Sequence, residues 1–198
     1  MDPRKDWPAY FKAARSFETR PTTRFALGKF HAESRGGFAI DLGCGNGTDT
    51  HAMLLAGWEV LGIDASAEGL AELAARTDLP NQTHLKLEQN TLENVRLPAC
   101  LFLNASFVLP FCNPEHFTDV WERIVAAIQP GGRFAGQFFG PRDSWKSAGY
   151  ALTHTRTQVE ELMRPFQIEM LREDERDGAD ATGTPKHWHV WHTVGLKK

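Results

Sequence analysis

Cysteine is scarce in this chain of 198 residues, and its three cysteines, Cys44, Cys100 and Cys112, form no C-x-x-C pair. An odd, dispersed set gives no disulfide framework and no cysteine metal site, and it predicts a reducing, cytoplasmic setting. No apolar run approaches the ~20 residues of a membrane-spanning helix, so no membrane partner is expected. The opening MDPRKDWPAYFKAAR lacks the apolar core of a secretory signal. Internal repeats and low-complexity tracts are absent as well. What is present is globular composition, with 41% hydrophobic and 24% charged residues and a length that suits one domain. We expect a single domain over 1–198, with a helical arm or lid at 1–35 and a core at 36–198.

Net charge is −3, unevenly spread: through Arg35 there are eight Lys/Arg against four Asp/Glu, which makes the arm +4 and leaves −7 for the rest. A basic arm can attract an anionic substrate or nucleic acid, and it can equally be a solvated helix face. Trp7, Tyr10, Phe11 and Ala14 have helical spacing, and a second helix is expected over Thr22 to Ala32.

The chain is organised around FAIDLGCGNGTDT, Phe38 to Thr50. It reads as an apolar strand, a glycine turn and the start of a helix. Gly43, Gly45 and Gly47 alternate with Cys44 and Asn46, permitting unusual dihedrals and close approach of a ligand to backbone. The helix that follows offers free N–H groups and a partial positive charge. Asp41 precedes the turn, and Asp64 ends the next apolar run, Trp58 to Ile63. An acid there is placed to hold ribose hydroxyls. The dinucleotide fingerprint G-x-G-x-x-G is not met, because the third glycine comes one residue early. Asp41 would repel a pyrophosphate but suits an ammonium or sulfonium, so the pattern favours S-adenosylmethionine over NAD.

At these residues the chain resembles the class I methyltransferases, whose first motif DLGCGNG resembles. The resemblance implies that Asp41 and the loop backbone (Gly43, Cys44, Gly45, Asn46, Gly47) serve the methionine end of S-adenosylmethionine and Asp64, with Ala65 beside it, the ribose. In that family an acid near Asn90-Thr91 accepts from adenine; here Asn90 offers a carbonyl, with Glu88 and Gln89 as rivals. Tyr10, Phe11 and Arg20 are the lid candidates on the substrate side. A helix followed by Pro130-Gly131-Gly132 and a strand also resembles this family, as does the compact style of the small tellurite-resistance and thiopurine-type enzymes.

Elsewhere the elements follow from pattern. Helices are expected from Thr48 to Ala56, closed by Gly57, and from Ser66 to about Arg76. Thr83 to Glu88 alternates as strand three. CLFLNA, Cys100 to Ala105, reads as a central strand covered on both faces, with Asn104 near its carboxyl end as a cofactor or substrate contact or a strand cap. Ser106, Phe107 and Phe111 follow in the acceptor-side loop, and Trp145 and Tyr150 are within reach. Asn113-Pro114 opens a helix to about Ile128, strand five runs from Arg133 to Phe139, and Thr157-Gln158-Val159-Glu160 forms a capping box for the last helix. Strand six is placed at Phe166 to Leu171, the acidic Glu173 to Pro185 stretch is read as mobile, and His187 to Leu196 as the last strand. His187 and His189 share a face of that strand while His192 points away, so no metal site is expected.

Alternating strands and helices give an α/β fold. The resemblance makes it a Rossmann-like, doubly wound seven-stranded sheet, mostly parallel with a reversed last strand and helices on both faces. The implied function is methyl transfer from S-adenosylmethionine to a small-molecule acceptor by in-line displacement. No catalytic base is assigned; His116 and His154 are the nearest candidates, and a soft nucleophile such as a thiolate needs none. An RNA methyltransferase, a non-catalytic S-adenosylmethionine-binding module and an NAD oxidoreductase are the alternatives.

Overall fold

In the computed structural model, which describes residues 18–149 and 151–198, the strand before the glycine turn is β1, Phe38–Leu42. The expected helix around Trp7 to Ala14, with Tyr10 and Phe11, and Tyr150 lie outside the described residues. β1 sits at the centre of one sheet. It pairs in parallel with β2 (Glu59–Asp64) from Phe38↔Glu59 to Leu42↔Ile63, and with β4 (Cys100–Ala105) from Ala39↔Phe102 to Asp41↔Asn104. With β3 (Leu85–Gln89), β5 (Ile128–Phe139), β6 (Phe166–Ala179) and β7 (Pro185–Lys197), the order is β3-β2-β1-β4-β5-β7-β6. β7 runs antiparallel to β5, so the reversed last strand is present. Strand order reverses between β1 and β4, which opens a crevice at the carboxyl ends of those two strands.

Helices cover both faces. α1 (Pro21–Ala32), α2 (Thr48–Leu55) and α3 (Ala67–Ala74) bury Phe30, Met53, Leu54 and Leu73 on one side with Trp58 and Phe102. The three aromatics meet at 4.8–5.9 Å. α4 (Phe117–Ala127) and α6 (Arg156–Leu162) cover the other with Val120, Trp121, Ile124 and Val159. A short α5 (Ser144–Ser147) lies between β5 and α6. Arg133, 1% exposed, pairs with Glu33 and Glu169 and lies 4.7 Å over the Phe30 ring, so the end of α1 is clamped to the sheet.

Four boundaries differ from the sequence pattern, each for a physical reason. Asn113-Pro114 caps a 3-10 turn, Pro114–His116, before α4 begins. α4 stops at Ala127, and Ile128 already pairs with Cys100; Pro130-Gly131-Gly132 is absorbed as a register shift inside β5. The capping box uses Thr155 and Gln158, two residues earlier than expected, since both overlapping boxes fit the pattern and the chain enters from the earlier one. The largest difference is the Glu173 to Pro185 stretch, which is strand except for a turn at 180–184. β5 ends at Phe139 opposite Val190, and beyond it β6 and β7 continue as a two-stranded ribbon from Glu175↔His189 to Ala179↔Pro185. Such a ribbon has no sheet on either side to bury an apolar face, so it carries no hydrophobic period.

Candidate functional site

The crevice at the switch point is a cleft of about 1020 Å³ of empty space, counted to its open mouth. The glycine turn forms one wall. Gly43, Gly45 and Gly47 hold φ at +74°, +51° and +82°, which side-chain-bearing residues rarely adopt. A Cβ on Gly43 would lie 2.5 Å from Val108 Cβ, and one on Gly47 would lie 2.2 Å from Leu73 Cδ1.

The loop spends its donors internally. Gly43 and Cys44 N–H groups donate to the Ile63 carbonyl at 2.7 and 3.0 Å, and Gly47 N–H to the Cys44 carbonyl at 2.9 Å. Gly45 N–H donates to Asp64 Oδ2 at 2.9 Å, and Ser66 N–H to Asp64 Oδ1 at 2.8 Å. These four N–H groups are therefore already spent within the protein. A pyrophosphate would find few donors here.

It would also meet three carboxylates. Asp41, Asp49 and Asp64 all line the cleft and are 2%, 6% and 7% exposed. Burial, and then the charge of Asp49, pushes the Asp41 carboxyl up to about 7. Burial also raises Asp64, against the opposing backbone N–H bonds. The Cys44 thiol is raised by burial and by both acids, which makes it a wall and not a nucleophile. Asp41 is held by the Thr50 hydroxyl at 2.5 Å and by Asn104 Nδ2 at 2.9 Å; Asp49 Oδ1 accepts from Arg20 N–H at 2.8 Å. The cleft is built to receive positive charge.

Of the residues singled out from the sequence, Asp41, Gly43, Cys44, Gly45, Asn46, Asp64, Ala65, Asn90 and Thr91 line the cleft, as do Arg20, Ser106 and Phe107. Three do not line it. Gly47 packs against Leu73 under the turn. Asn104, fully buried, stands behind Asp41: its Nδ2 donates to Asp41 and to Asp49 at 3.3 Å, and its Oδ1 accepts from Thr23 and Ser106. Trp145 is drawn away by a buried cation, since Lys186, paired with Asp143, places its ammonium 4.1 Å from the Trp145 ring and 4.3 Å from Trp188. Asn90 is less available to a base than expected, because its Oδ1 accepts from Thr91 N–H and its Nδ2 donates to Glu88.

The sequence reading missed Asp49, Leu92 and Glu93, which also line the cleft. An acid in the first turn of a helix complements the helix dipole whether or not it faces a ligand, so its position alone does not mark Asp49 as part of a site. His116 and His154 are both outside the lining. His154 is held near 4 by burial and packs 4.8 Å from the Phe117 ring. Glu173, Glu175 and His189 gather on the ribbon, but the Arg142 guanidinium sits among them, bonding Glu175 at 2.5 Å and Glu173 at 2.9 Å.

Residues 39–132, which contain the glycine turn, both flanking acids and the strands on either side of the crevice, match the family described as methyltransferase domain. Over these 94 of 198 residues the chain is similar to methyltransferase domains. A trans-aconitate 2-methyltransferase of Rhizobium meliloti is 40% identical over 106 residues, 51% of this chain and 38% of that protein. One from an Acidovorax species is 30% identical over 135 residues, 67% of this chain and 49% of its own length. The chain thus spans about half or less of these relatives. Among solved structures, TehB from Haemophilus influenzae superposes with a TM-score of 0.68 at 16% identity, covering 87% of this chain and 61% of TehB. The magnesium protoporphyrin IX methyltransferase of Synechocystis, solved with bound SAH, gives 0.72 at 14% identity, covering 97% and 94%. At these identities the structural likeness shows the fold. Among the described residues, no helix of this chain is long and apolar enough to cross a membrane.

Proposed function

We propose that this chain binds S-adenosylmethionine in the cleft and transfers its methyl group to a small-molecule acceptor. One observation carries the donor reading: a cleft in which three buried carboxylates face a glycine turn whose Gly43, Cys44, Gly45 and Gly47 N–H groups are already used. A cationic ligand is stabilised there and a pyrophosphate is not. When bound, S-adenosylmethionine supplies a methyl group already activated on a sulfonium.

The residues present fit that ligand. Asp41 and Asp49 would hold the methionine ammonium, Asp64 the ribose hydroxyls, and Ala65, Leu92, Asn90 and Thr91 the adenine. Arg20, Ser106 and Phe107 would position the acceptor, and the arm over 1–35 would close over it. The chain's contribution to rate is alignment and exclusion of water, with no base assigned, which suits an acceptor that is ionised at neutral pH. The trans-aconitate enzymes among its relatives support a small carboxylate acceptor.

Calorimetric titration with S-adenosylmethionine, S-adenosylhomocysteine and NAD tests the donor. Micromolar binding of the two adenosyl ligands without NAD is expected. Binding of NAD alone, or of none of them, would overturn the reading.

A further inference from the structure

His192 is an unusual residue to find without partners. It is 6% exposed, and among the described residues neither ring nitrogen has a hydrogen-bond partner. Leaving such atoms unpaired costs free energy unless a ligand satisfies them. In the sheet it stands opposite Gln137 of β5 on one side and Arg172 of β6 on the other. Residues opposite one another in antiparallel strands share a face, so the three lie in a row. It is the face on which α1 begins, since Gln137 Nε2 donates to the Thr22 hydroxyl at 2.8 Å.

This row adjoins the acceptor side of the cleft. The His192 ring meets Phe107 edge-on at 6.3 Å, and Phe107 lines the cleft with the Arg20 guanidinium 5.0 Å from its ring. Phe107 is also held at φ +54°, a strained conformation for an aromatic residue, by the bond from its N–H to Gln137 Oε1 at 3.0 Å. Among the described residues, the charges around the imidazole include Arg20, Arg172 and Arg176, and the carboxylate of Asp174, which is 3.8 Å from Nε2 and paired to Arg176. Burial and these guanidinium groups keep the imidazole neutral, with its pKa down at about 4. A neutral imidazole among cations offers an N–H and no competing charge.

We propose that His192, Arg172 and Arg20 form an anion subsite that holds a carboxylate of the methyl acceptor, with the Phe107 loop as its inner wall. The inference deepens the function proposed above, and it names the acceptor class as small di- or tricarboxylates. Nitrogen-15 NMR of the histidine rings reads the subsite directly, with or without S-adenosylhomocysteine, so its outcome is separate from donor binding. The probes are succinate, citrate, trans-aconitate, the trimethyl ester of trans-aconitate, and sulfate. Saturable shifts of the His192 signals with at least one carboxylate, but not with the ester or sulfate, are expected. His192→Phe and the exposed Arg172→Gln should each weaken that carboxylate about tenfold, the loss of one charge-assisted bond, while S-adenosylhomocysteine affinity stays unchanged. No shift with any carboxylate, equal shifts with sulfate, or undiminished affinity in folded Arg172→Gln would overturn the proposal.

Discussion

Replacing Asp41 with asparagine should make the ligand-free protein more stable and worse at binding its donor. Asp41 is 2% exposed and its carboxyl is pushed from an ordinary 3.8 up to about 7, first by burial and then by Asp49. A group that titrates higher in the folded state than in the unfolded one binds its proton more tightly when folded. Its ionisation therefore costs stability as pH rises from about 4 to about 7, and the cost is constant above that. A shift of about 3 units corresponds to about 4 kcal/mol at pH 8, an upper figure, and to roughly 2 kcal/mol at pH 5. Asparagine has the same shape: its Oδ1 still accepts from Asn104, and its amide reaches the Thr50 hydroxyl. Urea unfolding of both proteins at pH 5, 6, 7 and 8 measures the difference. The variant should gain about 2–4 kcal/mol at pH 8, and the gain should shrink by about 2 kcal/mol toward pH 5. Donor affinity of the variant should fall roughly 10- to 150-fold, the loss of a hydrogen bond to a charged group of about 1.5–3 kcal/mol. For the unsubstituted protein, donor affinity should weaken below pH 7, where binding must first displace the Asp41 proton. A variant that is less stable at pH 8, or two proteins with parallel pH profiles, would refute the argument.

Asp64→Asn should weaken S-adenosylmethionine and S-adenosylhomocysteine by the same factor, about 10- to 100-fold, because the ribose is common to both; a loss confined to one ligand, seen by calorimetry, would count against a ribose role. Gly47→Ala should destabilise the fold by about 2–4 kcal/mol through a left-handed backbone and the Leu73 clash, with donor affinity retained at temperatures where the variant is folded. An intact melting temperature would contradict that placement.

The donor half of the site was legible because its chemistry forces its sequence. A left-handed turn against Val108 and Leu73 admits glycine at Gly43 and Gly47, and an acid closing β2 has one place to reach. The acceptor half was less legible. Asn104 and Trp145 carry no mark in sequence that separates a ligand contact from an internal one, and each is bound by a partner distant in the chain, Asp41 and Lys186. His192 was noticed for pointing away from His187 and His189, which is correct for its strand. Its lack of partners emerges only when three strands and the Phe107 loop are brought together. The ribbon was illegible for the opposite reason. Arg172 to Asp177 is charged at every position and shows no hydrophobic alternation, and the strand is held by backbone bonds and by ions such as Arg142, from the loop after β5, with Glu173 and Glu175.

Two amide side chains join the halves. Asn104 must present its Nδ2 to the carboxylates of Asp41 and Asp49, so its Oδ1 is left for the hydroxyls of Thr23 and Ser106. Gln137 must present its Oε1 to the Phe107 N–H, so its Nε2 is left for Thr22. Neither amide can flip without placing like groups against each other. Arg20 N–H adds a third tie, to Asp49. Three anchors within four residues, Arg20, Thr22 and Thr23, therefore fix the start of α1 to the acids on one side and to the strained Phe107 loop on the other. The guanidinium of Arg20 enters the cleft from that fixed backbone, which makes the charge at its acceptor side as much a consequence of the sheet as the acids at its donor side.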